Sequence, residues 1–150
     1  MPKPCPNLSF EDARAAQREY ADILSRIAEI DGVKKVFVRS GIRFDYLLLD
    51  KSETLFRQLV GNHVSGQLKV APEHCSPDVL KLMGKPDISV YDRFRRRFYE
   101  LSAECGLEQY LVPYLISGHP GSTLNDAISL AEYLNSQRLD PQQVQDFYPT

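Results

Sequence analysis

Short apolar runs alternate with amphipathic stretches along this chain, and that alternation constrains the fold more than any other feature. Ala13, Ala16, Tyr20, Ile23, Ile27 and Ile30 recur at helical spacing, which predicts an amphipathic helix stopped by Asp31-Gly32. Ser9, with Asp12 behind it, is its expected N-cap. Val33 to Val38 is valine-rich and reads as a short strand. Ser52 is placed to cap a helix through Leu55, Phe56, Leu59 and Val60, ended by Gly61-Asn62. Gln67 to Ala71 is the next expected strand. Ser76-Pro77-Asp78 joins a capping residue to a proline suited to the first helical turn. Tyr91, Phe94, Phe98, Leu101 and Cys105 form another inward stripe. Gln109 to Ile116 is an apolar run suited to a buried strand, with Pro113 awkward for a central one. Thr123 or Ser122 starts a helix through Leu124, Ile128, Ala131 and Leu134, and Val144 to Tyr148 is the last strand. The order α-β-α-β-α-α-β-α-β predicts an α/β fold on a parallel sheet.

In such sheets ligands bind at the carboxyl ends of the strands. Those ends are Arg39-Ser40-Gly41, Pro72-Glu73-His74, Ser117-Gly118-His119 and Tyr148-Pro149. Polar residues and glycine gather there, so function is expected at these places together.

Composition narrows the classes of function. With 150 residues the chain is expected to form one domain. Hydrophobic residues make up 43% and charged residues 25%, as in ordinary soluble proteins. A net charge of −2 argues against a strong field for nucleic acid. No run approaches the roughly 18 apolar residues of a membrane span. The start, Met-Pro-Lys-Pro-Cys-Pro, lacks the apolar core of a signal peptide, so a cytoplasmic location is expected. Cys5, Cys75 and Cys105 are odd in number and widely spaced, which predicts reduced thiols rather than a disulfide framework.

The stretch "LKVAPEHCSPDVLKLMGKP" carries the densest chemistry. Glu73, His74 and Cys75 leave a strand in succession, so they cannot easily all face one metal. With His119, a partial zinc set is conceivable. A metal site, an acid–base site and a plain turn all stay open here. A carboxylate at Glu73 can accept hydrogen bonds from vicinal hydroxyls or an ammonium group, and Lys85 can face a carboxylate or phosphate. The loop Ser117 to Thr123 has two glycines that let a backbone approach a ligand, but it matches no phosphate-loop motif. Arg93, Arg95, Arg96 and Arg97 lie opposite the aromatic stripe and read as a solvated face.

Taken together, "SGIRFDYLL", "LKVAPEHCSPDVLKLMGKP", "YLISGHPGST" and "QVQDFYPT" resemble the YgiQ-type (UPF0313) radical S-adenosylmethionine proteins. The resemblance runs from about Cys5 to Thr150. It implies a partial (βα) TIM-like barrel, about four βα units of a (βα)6 barrel, holding S-adenosylmethionine and a [4Fe–4S] cluster. There a 5′-deoxyadenosyl radical abstracts hydrogen from an unknown substrate. By resemblance, Glu73 faces the ribose or the amino-acid part of S-adenosylmethionine. Lys85 stands where relatives place an arginine against the methionine carboxylate, and keeps the charge but not the fork. Ser117, Gly118, His119 and Gly121 lie along the adenosine, Tyr148 lies near the adenine, and Ser40 and Arg43 border cofactor or substrate.

One departure is severe. The family's CxxxCxxC loop is absent, and Cys5, Cys75 and Cys105 are too far apart to replace it. Residues 1–150 therefore read as the third to sixth strands of a radical domain, with the cluster ligands and first two strands outside the chain. Alone, such a piece is not expected to cleave S-adenosylmethionine. Its uncovered strand edges predict poor solubility or self-association, and the missing half of the barrel is its expected partner. Two rival classes are a scaffold module with a basic helix, and a metal-dependent hydrolase using Glu73, His74 and His119.

Overall fold

A computed structural model describes residues 10–141 and 144–148. The expected cap at Ser9 lies outside them. Helix α1 spans Phe10–Ala28, followed by α2 (Phe44–Leu47), α3 (Thr54–Gln58) and a π-helical turn, Leu59–His63. Then come β1 (Gln67–Glu73), α4 (Pro77–Leu82), α5 (Ile88–Glu104), β2 (Tyr110–Ser117), α6 (Leu124–Ser136) and β3 (Val144–Asp146). The three strands form one sheet in the order β1-β2-β3, parallel throughout. This bears out the α/β class. It also carries one strand fewer, among the described residues, than the sequence suggests.

The missing strand is Val33 to Val38. The Val38 N–H donates to the His63 carbonyl at 2.9 Å, and the Val36 carbonyl lies 2.8 Å from His63 Nδ1. The segment is tied to the π-helical turn rather than to a strand ladder. Apolar β-branched residues favour a pleated surface, but a strand exists only where a neighbour pairs with it. Pro113 is tolerated for a related reason. It pairs with Val70 of β1, while β3 reaches only Leu115 to Ser117, so β2 is edge-like at the proline.

The core is built around α5. Tyr91, Phe94, Phe98 and Leu101 are buried as the stripe predicts, against Phe44, Phe56, Leu59 and Val60 and against Leu68 and Val70 of β1. Cys105 departs from the stripe. It follows the last helical turn as the C-cap and is exposed. Cys75 is buried against Leu115 and Leu130 instead.

Helix α1 is turned about its axis from the expected orientation. It buries Ala13, Gln17, Ala21 and Leu24, while Tyr20, Ile23 and Ile27, and Ile30 beyond its end, stay exposed. Two polar ties account for this. Gln17 Nε2 donates to the Tyr46 carbonyl at 2.7 Å, and Gln58 Nε2 donates to the Ala21 carbonyl at 3.0 Å. Alanines at 13 and 21 let the helix sit close enough for both.

The cap before α3 also differs. Glu53, not Ser52, is the N-cap residue, in a left-handed conformation with φ 54°. Arg97 holds it with two hydrogen bonds of 2.7 Å each and thereby keeps its carboxyl below the usual range. No helix among the described residues is long and apolar enough to cross a membrane.

Candidate site at the strand ends

Parallel pairing brings the C-terminal ends of β1, β2 and β3 to one edge. At the end of β1, Glu73 takes φ 68°, a conformation that side-chain-bearing residues rarely adopt. The register between β1 and β2 shifts just before it. Such strain persists only where surrounding contacts enforce it, and it gathers at functional sites. The contact here is an ion pair: Lys85 Nζ lies 2.8 Å from Glu73 Oε1. Both side chains are partly buried.

Helix α4 delivers Lys85 to that position. Pro77 opens the helix, and Gly84 at φ 63° turns the chain at its end. The Lys85 N–H then donates to the Leu80 carbonyl at 2.8 Å. The family resemblance implies that Glu73 and Lys85 face one ligand. The structure adds that they face each other.

The turn from β2 to α6 stands beside them. Ser117 Oγ donates to Asp146 Oδ1 at 2.7 Å, joining the ends of β2 and β3. Gly118 has φ 64° and Gly121 φ 88°. At Gly121 a Cβ would stand 2.6 Å from Leu82 Cδ1, so the absence of a side chain lets α4 and this loop close together. The His119 ring packs edge-on against Phe147, with centroids 4.8 Å apart. The Phe147 N–H also donates to the Ser117 carbonyl at 3.0 Å. Tyr148, the residue expected at this end, is 83% exposed. The ring brought to the loop is therefore Phe147.

Thr123 is the N-cap of α6, in a full capping box with Asp126. Asp126 reaches further. Its Oδ1 accepts the Ser76 hydroxyl at 2.5 Å, which binds the turn after β1 to the start of α6. Hydrogen bonds from Ser76 and Thr123 pull its carboxyl down to about 2. Sequence reasoning missed Ser76, Asp126, Asp146 and Phe147. Only Thr123-Leu-Asn-Asp126, a capping-box spacing, signalled any of them.

Ser40 and Arg43 are placed elsewhere. They line a cavity of about 290 Å³ with Gln17, Tyr20, Tyr46 and Leu55. Arg43 is engaged bidentately by Asp45 at 2.8 and 2.9 Å, and its guanidinium lies 4.6 Å from the Tyr46 ring centroid. Among the described residues, no hydrogen bond or ion pair joins them to the strand-end group.

The same geometry bears on the metal reading. Among the described residues, no group of three or more His, Cys, Asp or Glu side chains is placed to hold a metal ion. Glu73 is committed to Lys85, and His74 Nδ1 accepts the Ser76 N–H at 2.9 Å. His119 Nδ1 lies 2.9 Å from the Pro120 carbonyl. Burial pushes the Cys75 thiol up, away from the thiolate that binds metals. On α5, Arg97 is committed to Glu53, Glu100 and Glu104, and Arg95 to Gln137. Arg93 and Arg96 remain exposed.

No protein-family model matches the chain. It is 53% identical over 146 residues to a UPF0313 protein of Clostridium perfringens, covering 97% of this chain and 21% of that protein. It is 52% identical over 150 residues to a UPF0313 protein of Clostridium botulinum, covering all of this chain and 23% of that protein. The chain spans about a fifth of the length of these curated relatives. Along its whole length it is similar to one segment of UPF0313 proteins.

Proposed function

We propose that this chain is a segment of a UPF0313 radical S-adenosylmethionine enzyme. In this reading the edge formed by Glu73, Lys85 and the Ser117–Gly121 turn is one wall of the S-adenosylmethionine pocket. The observation that carries the reading is the Glu73–Lys85 pair at a strained strand end. A carboxylate keeps acceptor capacity after one ion pair, and an ammonium keeps two donors. A zwitterionic amino-acid group can therefore bind both at once, its ammonium to Glu73 and its carboxylate to Lys85, without breaking the pair. Gly118 leaves backbone open to an adenosine, Gly121 lets α4 close against the same turn, and His119 on Phe147 offers a supported ring beside it.

When bound, S-adenosylmethionine supplies the deoxyadenosyl group that takes hydrogen from a substrate. This edge supplies binding and orientation. The cysteines do not fit a cluster: Cys75 is buried at the C-terminal end of β1, and Cys105 lies just before the N-terminal end of β2. Cys5 lies outside the described residues. Cluster ligands in this reading come from the rest of the polypeptide, as do the remaining strands.

The binding test is equilibrium dialysis with labelled S-adenosylmethionine on the polypeptide carrying these residues. Glu73→Ala and Lys85→Ala are each expected to weaken binding tenfold or more, about 1.4 kcal/mol. Unchanged affinity in both removes the pair from the pocket. Anaerobic iron–sulfide reconstitution checks the cluster reading on the 150-residue chain. No stable [4Fe–4S] absorbance is expected, and a stoichiometric cluster overturns the assignment of its ligands elsewhere.

A further inference from the structure

The turn after β1 holds more than the ion pair. His74 is 3% exposed, and its Nδ1 accepts the Ser76 N–H at 2.9 Å. A ring nitrogen that accepts carries no proton, so neutral His74 keeps its proton on Nε2. Ser76 occupies the N-cap place of α4, yet its side chain does not cap that helix. Its hydroxyl goes to Asp126 instead, 2.5 Å away. Asp126 Oδ2 then accepts the Thr123 N–H at 2.8 Å and the Thr123 hydroxyl at 2.7 Å. A continuous chain of hydrogen bonds thus runs from the residue after Glu73 to the residue that ends the glycine turn.

We propose that His74, through Ser76 and Asp126, is a positioning residue that fixes the end of β1 against the Gly118–Gly121 turn, and that it does so only while its ring is neutral. The inference rests on the S-adenosylmethionine reading only for which ligand profits from that spacing. The clamp stands on the hydrogen bonds themselves. Protonating Nδ1 places a hydrogen where the Ser76 N–H already points, and two donors cannot share that bond. The turn after β1 must then release.

Burial is the main influence on His74 and disfavours its charge. Asp126 from α6 favours the charge, His119 from the adjacent turn opposes it, and the balance lies below the ordinary value of 6.5. The neighbouring Cys75 thiol is held protonated. The unfolded chain therefore takes up a proton before the folded one as pH falls. The clamp is complete above about 6.5 and is lost as pH falls through the folded value. Asp126 stays ionised across that range, so the loss belongs to His74.

The test is an NMR pH titration of the full chain, carrying His119→Asn so that His74 is the titrating ring in this turn. The expected result is that the Ser76 and Thr123 amide shifts both move with the His74 ring. With His74→Asn, whose side-chain oxygen can replace Nδ1 as acceptor, both movements disappear. With Ser76→Ala, the residue-76 amide still follows His74 and the Thr123 amide no longer does. A Thr123 amide indifferent to His74 titration overturns the proposal, as does an unchanged profile in His74→Asn. Dialysis with S-adenosylmethionine is the separate arm. Affinity that falls with the same midpoint supports both readings. A clamp that titrates in a polypeptide that carries the remaining strands and still binds no S-adenosylmethionine supports the clamp and removes that ligand.

Discussion

Phe94→Ala is expected to cost the chain about 3–5 kcal/mol, the usual range for truncating an aromatic ring in a packed core. Phe94 is fully buried. Its ring stacks on Phe56 with centroids 5.1 Å apart and planes 9° apart. It also meets Phe44 at 5.6 Å and Phe98 at 6.2 Å. These partners sit on α2, α3 and α5, so the lost ring leaves a hole where three elements converge. Rigid backbone on all three sides limits collapse into that hole, which favours the upper part of the range. Typical domains are stable by only about 5–15 kcal/mol, so the variant is expected to be largely unfolded at mild denaturant. Urea titration followed by circular dichroism checks this through the midpoint. A loss below about 1 kcal/mol means that the cluster closes over the gap and that α5 is not its centre.

The parts of the fold legible in sequence are those decided by local chemistry. Tyr91, Phe94, Phe98 and Leu101 on α5 are read correctly, and Cys105 is not, because large apolar residues at helical spacing have few other places to go. Pro77 marks the start of α4 and Thr123 the start of α6 for equally local reasons. The failures share a different cause. Val33 to Val38 has strand propensity, but hydrogen bonds to His63 decide its state. Helix α1 carries a larger apolar stripe than the one it buries, because Gln17 and Gln58 find carbonyls on the other side. In the candidate site, the strand-end positions of Glu73, Ser117 and Gly118 follow from βα alternation alone. The Glu73–Lys85 contact and the Ser76–Asp126 bond do not, since each depends on how two turns approach in space. Phe147 in place of Tyr148 is a register question, because neighbouring residues along an extended chain point to opposite sides.

Gln109→Ala is expected to cost about 2–4 kcal/mol, because it strands polar groups that the π-helical turn leaves open. The π-helical turn ends at His63 and the chain continues extended into β1, so carbonyls at its end have no further helical turn to supply donors. Gln109 is buried and supplies the missing donors: Nε2 reaches the Val60 carbonyl at 2.9 Å and the Val64 carbonyl at 3.3 Å. Because those carbonyls can only accept, they fix the direction of the amide and leave its Oε1 3.0 Å from Ser102 Oγ. Removing the amide leaves two buried carbonyls without donors beside Leu59 and Val60, and each orphan costs about 1–3 kcal/mol before relaxation. Gln109→Glu separates this cause from simple loss of volume. A carboxylate there faces two carbonyls and can donate only when protonated, so its folded pKa must rise above the usual value of about 4.3. The folded variant then binds a proton that the unfolded chain has lost. Its stability is therefore expected to increase as pH falls from 7 towards 5, opposite to the trend that His74 imposes on the native chain. Paired urea titrations at the two pH values read the sign directly. A Gln109→Glu chain that follows the native pH trend shows that the amide is not what closes the π-helical turn.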